Sequence, residues 1–320
     1  MLILYEILVI STVKTYSKLE GLNMIGDTPL ICIDEEYNIW AKLETHNVTG
    51  SVKDRMVDYI CDNALTEGLI DPGMTCLVEA TSGNTGIALA SYAASMGCDC
   101  KIIMPCNMSE QRKDMIRAMG AEIIETGPNQ FKEAIEIKNK MIRPEFSKRK
   151  GEFGDIYFSF KSGFFSPMQF KNPLNVKCHF TDTAPEIHEQ ITYQNIGLWS
   201  AFVHGAGTGG TMMGMKNYID DNFLGVECIL TQPAESNDKH GIQGINDGAD
   251  FLLDRSLVNL SIEISTEDAI RRMKRYWRES GILVGISSGA NILASEIYVE
   301  NFNPKGAVVT MLCDRGERYL

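Results

Sequence analysis

The sequence predicts an α/β protein of two lobes, each a mostly parallel twisted sheet flanked by helices. Three observations carry this. At 320 residues the chain is longer than one small core needs. Short apolar runs alternate with amphipathic ones along most of its length, the pattern of parallel strands joined by covering helices. Glycine-bearing loops recur where a strand hands over to a helix, which in such sheets is where ligands bind.

Taken in order, "TCLVEA" (75–80) reads as a strand and "TGIALASYAASMG" (85–97) as a helix with small residues on its packing face. "KIIMP" (101–105) is a strand and "SEQRKDMIRAMG" (109–120) a helix that Ser109 can cap and Gly120 can end. "AEIIET" (121–126) is a strand, and 126–180 is less regular. "LWSAFVHG" (198–205) and "VECILTQ" (226–232) are strands on either side of the helix "TMMGMKNYIDD" (211–221). After a long loop come the helix "TEDAIRRMKRYWRES" (266–280) and the strand "AVVTMLCD" (307–314).

Composition narrows the function classes. A net charge of −12 with no dominant basic stripe argues against nucleic acid or an anionic membrane as partner. The densest basic run, Lys148-Arg149-Lys150 beside Gly151, reads as an exposed loop. Nine cysteines are scattered without a C-x-x-C pair or a ligand cluster, so no metal site is expected, and free thiols in a reducing cytoplasm are. The apolar start "MLILYEILVISTV" contains Glu6, lacks a cationic leader, and is shorter than the roughly 20 residues a membrane span needs. It reads as a packing or dimer-contact segment.

Three loops and one lysine carry the chemistry. "TGSVKDR" (49–55) puts Lys53 at the start of a helix, the unfavourable end of the dipole for a cation, which favours a lowered pKa. Alone it would be an ordinary solvated lysine. "EATSGNTG" (79–86) offers Ser82, Asn84 and Thr85 at a helix N-terminus. Capping explains one such residue; several, with two glycines, suit a carboxylate. "GAGTGGT" (205–211) exposes successive backbone amides that can cradle a phosphate. Gly205, Gly207 and Gly210 also satisfy G-x-G-x-x-G, which keeps a nicotinamide-dependent dehydrogenase as a rival. That rival needs an acidic residue ending the next strand, where Thr231-Gln232 stand instead, with Glu227 near the strand's beginning. "GISSGAN" (285–291) matches the hydrolase elbow G-x-S-x-G, but the last histidine is His240, upstream of it, and that fold needs a later one. What remains there is a pair of hydroxyls, Ser287 and Ser288. A lysine, a phosphate cradle, a carboxylate pocket and a neutral hydroxyl together suit pyridoxal 5'-phosphate.

With these motifs stand "MIGDTPL" (24–30), "KLETHNVTGSVKDR" (42–55), "MPCNMSEQRKDMIRAMGAEI" (104–123), "QFKNPLN" (169–175), "TAPEIHEQ" (183–190) and "DRGERYL" (314–320). In this order they resemble the cysteine synthase and cystathionine β-synthase family of pyridoxal-phosphate enzymes (fold type II), nearly end to end. The resemblance implies that the cofactor lies in the cleft between the lobes. Residues 1–45 would pack with the larger lobe, 46–155 would form a smaller, mobile substrate-binding lobe, and 156–320 the larger cofactor-binding lobe. It implies a Schiff base at Lys53, a hydrogen bond from Asn84 to the ring hydroxyl, and phosphate binding by Gly207, Thr208, Gly209, Gly210 and Thr211. Ser287 would face the pyridine nitrogen, and Thr81, Ser82, Thr85 and Gln169 would hold the substrate carboxylate. It implies a homodimer.

A neutral hydroxyl at the ring nitrogen makes the cofactor a weaker electron sink, so prompt loss of the β-substituent through an aminoacrylate is expected: β-elimination or β-replacement on a small L-amino acid. O-acetyl-L-serine with sulfide is favoured because the core motifs are closest to cysteine synthases. Two departures keep others open. "NDKHGIQGINDG" (237–248) is short and puts Asn246 and Asp247 where glycine and alanine are usual. Asp247 is either a helper base that turns the enzyme toward L-cysteine, releasing sulfide to water or a thiol, or a plain turn residue. In "DRGERYL", Arg315 resembles relatives that join an amine nucleophile to the amino acid.

Overall fold

The computed structural model describes residues 24–142, 146–151, 154–161, 163–222, 225–236, 240–245 and 251–320. The apolar N-terminal segment and the Asn246-Asp247 turn lie outside them. In chain order the strands are β1 (Leu30–Asp34), β2 (Ile39–Leu43), β3 (Cys76–Ala80), β4 (Asp99–Pro105), β5 (Glu122–Thr126), β6 (Phe146–Gly151), β7 (Gly154–Lys161), β8 (Phe164–Ser166), β9 (Trp199–Gly205), β10 (Glu227–Pro233), β11 (Leu260–Ile264) and β12 (Ala307–Leu312). The helices are α1 (Lys53–Thr66), α2 (Asn84–Met96), α3 (Glu110–Ala118), α4 (Phe131–Ile142), α5 (Leu174–Cys178), α6 (Ala184–Tyr193), α7 (Gly210–Asn222), α8 (Thr266–Ser280) and α9 (Ile286–Phe302).

Two six-stranded sheets organise them, in the orders β1-β2-β12-β9-β10-β11 and β5-β4-β3-β8-β7-β6. The first is parallel except where β1 turns back on β2; the second is parallel from β5 to β8 and antiparallel from β8 to β6. Parallel strands covered on both faces read as continuous apolar runs, and β3 and β12 are buried at every position. One core lies around β3 and β4 under α1 and α2, with Leu77, Ile87, Leu89 and Ile102 wholly buried. Others lie on either side of β9 and β12, where Phe202, Met212 and Met311 meet on one face and Val203, Ala290 and Val308 on the other.

The expected strands and helices form with ends shifted by a few residues, and α8 begins and ends where the sequence placed it. Ser265, just ahead of α8, accepts from the Asp268 N–H at 3.1 Å, the capping bond that starts the helix. Ser109 stands at the same position of α3 but makes no capping bond; its hydroxyl is buried without a partner among the described residues. The irregular stretch holds α4, α5 and the antiparallel arm β6–β8. Lys148–Lys150, read as a loop, belong to β6, because their backbone pairs with β7. Basic residues carry little β signal, so only the pairing reveals the strand.

α1 is anchored by a buried charge network. Arg55 donates to Glu44 from Nε (2.7 Å) and Nη2 (2.8 Å), and to Glu186 of α6 from Nη1 (2.8 Å). Lys42 of β2 completes it with Glu186 and with Gln190 at 2.7 Å. Burial would raise the Glu44 carboxyl, but the charge and hydrogen bonds of Arg55 outweigh it and hold it at about 2. A two-ended guanidinium clamp of this kind positions the first turn of α1, where Lys53 stands.

Candidate active site

A cleft of about 560 Å³ opens between the two sheets, within the range of small-molecule sites. Its wall contains Lys53, Thr81, Ser82, Asn84, Thr85, Gln169, Gly207, Thr208, Gly209, Thr211 and Ser287, contributed by segments up to 234 residues apart in sequence. Of the expected site residues, Gly210 is not part of this wall and Asp247 lies outside the described residues.

Lys53 is the first residue of α1 and half-buried. Burial lowers its pKa, with Cys313 and Asp314 nearby working in the opposite direction. Two effects therefore favour its neutral amine: removal from water, and a position at a helix start. Burial also raises Asp54, the next residue, to about 6; its carboxyl receives the Thr49 N–H at 2.8 Å and ties the preceding loop to α1.

The glycine loop is built by close approach. A Cβ on Gly207 would stand 2.6 Å from the Gly244 carbonyl oxygen, and one on Gly210 2.0 Å from Asn175 Oδ1. Gly209 has φ +88° and would meet the Leu253 backbone nitrogen at 2.4 Å. Asn175 Nδ2 donates to Thr208 Oγ1 at 2.9 Å, and Thr208 Oγ1 accepts from the Gly210 N–H at 3.3 Å. Thr211 Oγ1 lies 3.1 Å from Nε2 of His179, which burial keeps neutral with its pKa down at about 3. The loop leads into the N-terminus of α7, where free amides favour an anion. The donor set fits a phosphate.

On the opposite wall, the Thr85 hydroxyl donates to Gln169 Oε1 at 2.7 Å, which turns the Gln169 amide group toward the Thr81–Thr85 loop. Gln169 is anchored from behind by Glu79, which is wholly buried: its Oε2 accepts from the Gln169 N–H and Ser166 Oγ, each at 3.3 Å, and its Oε1 pairs with Lys138 at 3.1 Å. Ser82 is the exposed member of the group. Asn84 is partly engaged: Nδ2 donates to Asp314 Oδ2 at 2.7 Å, and Oδ1 accepts from Arg318. Nδ2 keeps a second N–H for a ligand.

Ser287 is the second residue of α9 and is buried against Cys313, whose thiol burial pushes up to about 12. The Ser288 hydroxyl accepts the Cys313 N–H at 2.9 Å and fastens α9 to the end of β12. No carboxylate lines this part of the cleft among the described residues, so the group offered beside Ser287 is neutral.

The cleft also contains residues the sequence left unassigned: Arg112, His204, Cys313 and Tyr319. Arg112 could have been found, because it lies one turn before the buried Ile116, on the apolar stripe of α3. His204 is the next-to-last residue of β9, with no pattern to mark it. The neighbour that fixes it is Asn291, 87 positions away, whose Nδ2 approaches His204 Nδ1 at 3.2 Å. Arg315, by contrast, is not in the cleft wall: its Nε donates to the Thr45 carbonyl at 2.9 Å. Among the described residues no group of side chains could hold a metal, and no helix is long and apolar enough to cross a membrane.

Residues 22–314 match the family described as pyridoxal-phosphate dependent enzyme. A cysteine synthase of Staphylococcus aureus (strain Mu50) is 35% identical over 313 residues, 93% of this chain and 94% of the relative. Cysteine synthase B of Escherichia coli (strain K12) is 36% identical over 307 residues, 92% of each. The structure of a hydrogen sulfide-producing enzyme from Fusobacterium nucleatum superposes with a TM-score of 0.80 at 32% identity, covering 94% of this chain and 99% of that one. The glycine loop, Lys53 and Ser287 stand in one cleft of a two-sheet α/β fold, and the chain belongs to the family of pyridoxal-phosphate dependent enzymes, as a β-replacing member.

Proposed function

We propose that the protein is a cysteine synthase: it takes O-acetyl-L-serine and sulfide to L-cysteine and acetate, and works as a homodimer in the cytoplasm. The observation that carries this is the convergence on one cleft of Lys53, its pKa lowered by burial, with the Gly207–Thr211 cradle and the Thr81–Thr85 loop backed by Gln169. The curated cysteine synthases at 35–36% identity support the choice of substrates. The nine free cysteines fit a reducing compartment.

Bound pyridoxal phosphate supplies a reactive aldehyde carbon and an electron-withdrawing ring. The amides of Gly207 to Thr211 would hold its phosphate, Lys53 Nζ its aldehyde carbon, Asn84 Nδ2 its ring hydroxyl, and the Ser287 hydroxyl its ring nitrogen. Thr81, Ser82, Thr85 and Gln169 would bind the donor carboxylate and orient the Cα–H bond. Lys53 Nζ, kept neutral by burial, would serve as the base that takes the α-proton of the bound donor. The Cβ–O bond breaks and its electron pair leaves with acetate. Sulfide forms the new bond at Cβ, and Lys53 returns the proton to Cα.

The structural similarity to a hydrogen sulfide-producing enzyme favours a second reading, L-cysteine as donor with Asp247 as helper base. Product assays of the loaded enzyme separate the two. Cysteine formed from O-acetyl-L-serine and sulfide, and abolished by Lys53→Ala, supports the first. Faster sulfide release from L-cysteine, diminished by Asp247→Asn, replaces it with the second.

A further inference from the structure

Arg112 is a buried cation with no hydrogen-bond or ion-pair partner among the described residues. It is 4% exposed on α3, and among the described residues its five N–H donors make neither a hydrogen bond nor an ion pair; Nε is fully enclosed and unsatisfied. Its neighbour Lys113 is as deeply buried but fully served, by Glu110 and Glu125 at 2.9 Å each and the Cys106 carbonyl at 2.6 Å. A guanidinium does not shed its charge, so burying it unpaired is unfavourable unless an anion arrives.

The surroundings hold Arg112 for such an anion. Its Cζ stands 5.0 Å from the centre of the Tyr319 ring, and the Tyr319 hydroxyl is fastened to Asp314 Oδ2 at 2.7 Å. On another side it lies against Gly83, where a Cβ would come within 3.1 Å of Cδ and Nε. The side chain is thus braced by a tyrosine and by the Thr81–Thr85 loop, and it lines the cleft with Ser82 and Met108. No Asp or Glu lines that cleft among the described residues, although the chain as a whole carries −12. A ligand anion reaching Arg112 would meet no competing carboxylate among the described residues of the cleft.

Two anions of the reaction already have places, the phosphate at Gly207–Thr211 and the donor α-carboxylate at Thr81–Gln169. We propose that Arg112 is a specificity-determining subsite for a second carboxylate. This deepens the function proposed above and rests on it. A planar carboxylate matches the guanidinium fork. It comes from one of two sources: the acetate that departs from an O-acetylated donor, or a carboxylate borne by the incoming thiol.

Calorimetric titration of the cofactor-loaded protein with sodium acetate, against sodium chloride at equal ionic strength, tests the subsite without turnover. Arg112→Met should weaken acetate binding by about 10- to 100-fold, with Arg112→Lys between. Its melting temperature should change little, since no ion pair or hydrogen bond within the described residues is lost and only the Tyr319 ring contact is removed. Kinetics then identify the source. If the acetate is the guest, Arg112→Met lowers kcat/KM for O-acetyl-L-serine more than for β-chloro-L-alanine, whose leaving group is chloride. If the thiol's carboxylate is the guest, the loss is larger for mercaptoacetate than for mercaptoethanol. Unchanged acetate binding, or an equal loss with every donor and thiol, overturns the subsite. A wild-type protein that turns over none of these donors would instead refute the cysteine-synthase reading while leaving the acetate titration interpretable.

Discussion

Gly207→Ala tests the proposed phosphate cradle most directly, because its effect can be worked from one distance. The added Cβ would stand 2.6 Å from the Gly244 carbonyl oxygen, well inside ordinary contact. The obstacle is backbone, so no side chain can swing away. Either the glycine loop or the 241–245 loop must move by a fraction of an ångström. Overpacking of this kind costs about 1–3 kcal/mol. Where the displaced amides are those that hold a phosphate, that becomes a roughly 5- to 150-fold loss of affinity. The assay is titration of the cofactor-free protein with pyridoxal phosphate and, separately, with pyridoxal, followed by visible absorption. The variant should bind pyridoxal phosphate more weakly by that factor. Pyridoxal has no phosphate to seat and should change by less than about threefold. Affinity for pyridoxal phosphate within twofold of the parent, or an equal loss for both ligands, would refute the assignment of these amides to phosphate.

Two further substitutions probe the supports behind the site. Lys138→Met leaves Glu79 buried with no counter-charge, a loss of about 3–5 kcal/mol; the melting temperature should fall, and KM for O-acetyl-L-serine should rise because Glu79 holds the Gln169 backbone. An unmoved KM in the folded variant would show that Gln169 is positioned by other contacts. Glu44→Gln should remove part of the acid sensitivity. Glu44 is held at about 2 against an ordinary 4.5, so its roughly 3 kcal/mol of stability is fully present above 4.5 and is lost as pH falls through 4.5 toward 2. Urea unfolding between pH 3 and 7 should show the parent's advantage over the variant shrinking as the solution is acidified; a constant difference would contradict this.

The chemistry-bearing loops were legible in the amino-acid sequence because each is local. A glycine-rich turn, a polar cluster at a helix start and a lysine at a helix N-terminus declare themselves within seven or eight residues, and the strand-helix alternation names the sheets that carry them. Resemblance to a known family added the roles. What was not legible depends on partners distant in sequence. Asn84 meets Asp314 and Arg318 more than two hundred residues on. Gln169 rests on Glu79 and, through it, on Lys138. The strand β6 exists because β7 pairs with a basic segment of weak β propensity. Arg112 looks like any solvated arginine on an amphipathic helix until the fold buries it beside Tyr319 with no counter-ion among the described residues. Local pattern determined which chemical groups the chain displays. Only the tertiary structure decided which of them are satisfied by the protein itself, because burial and pairing are properties of neighbours that the chain brings together only on folding.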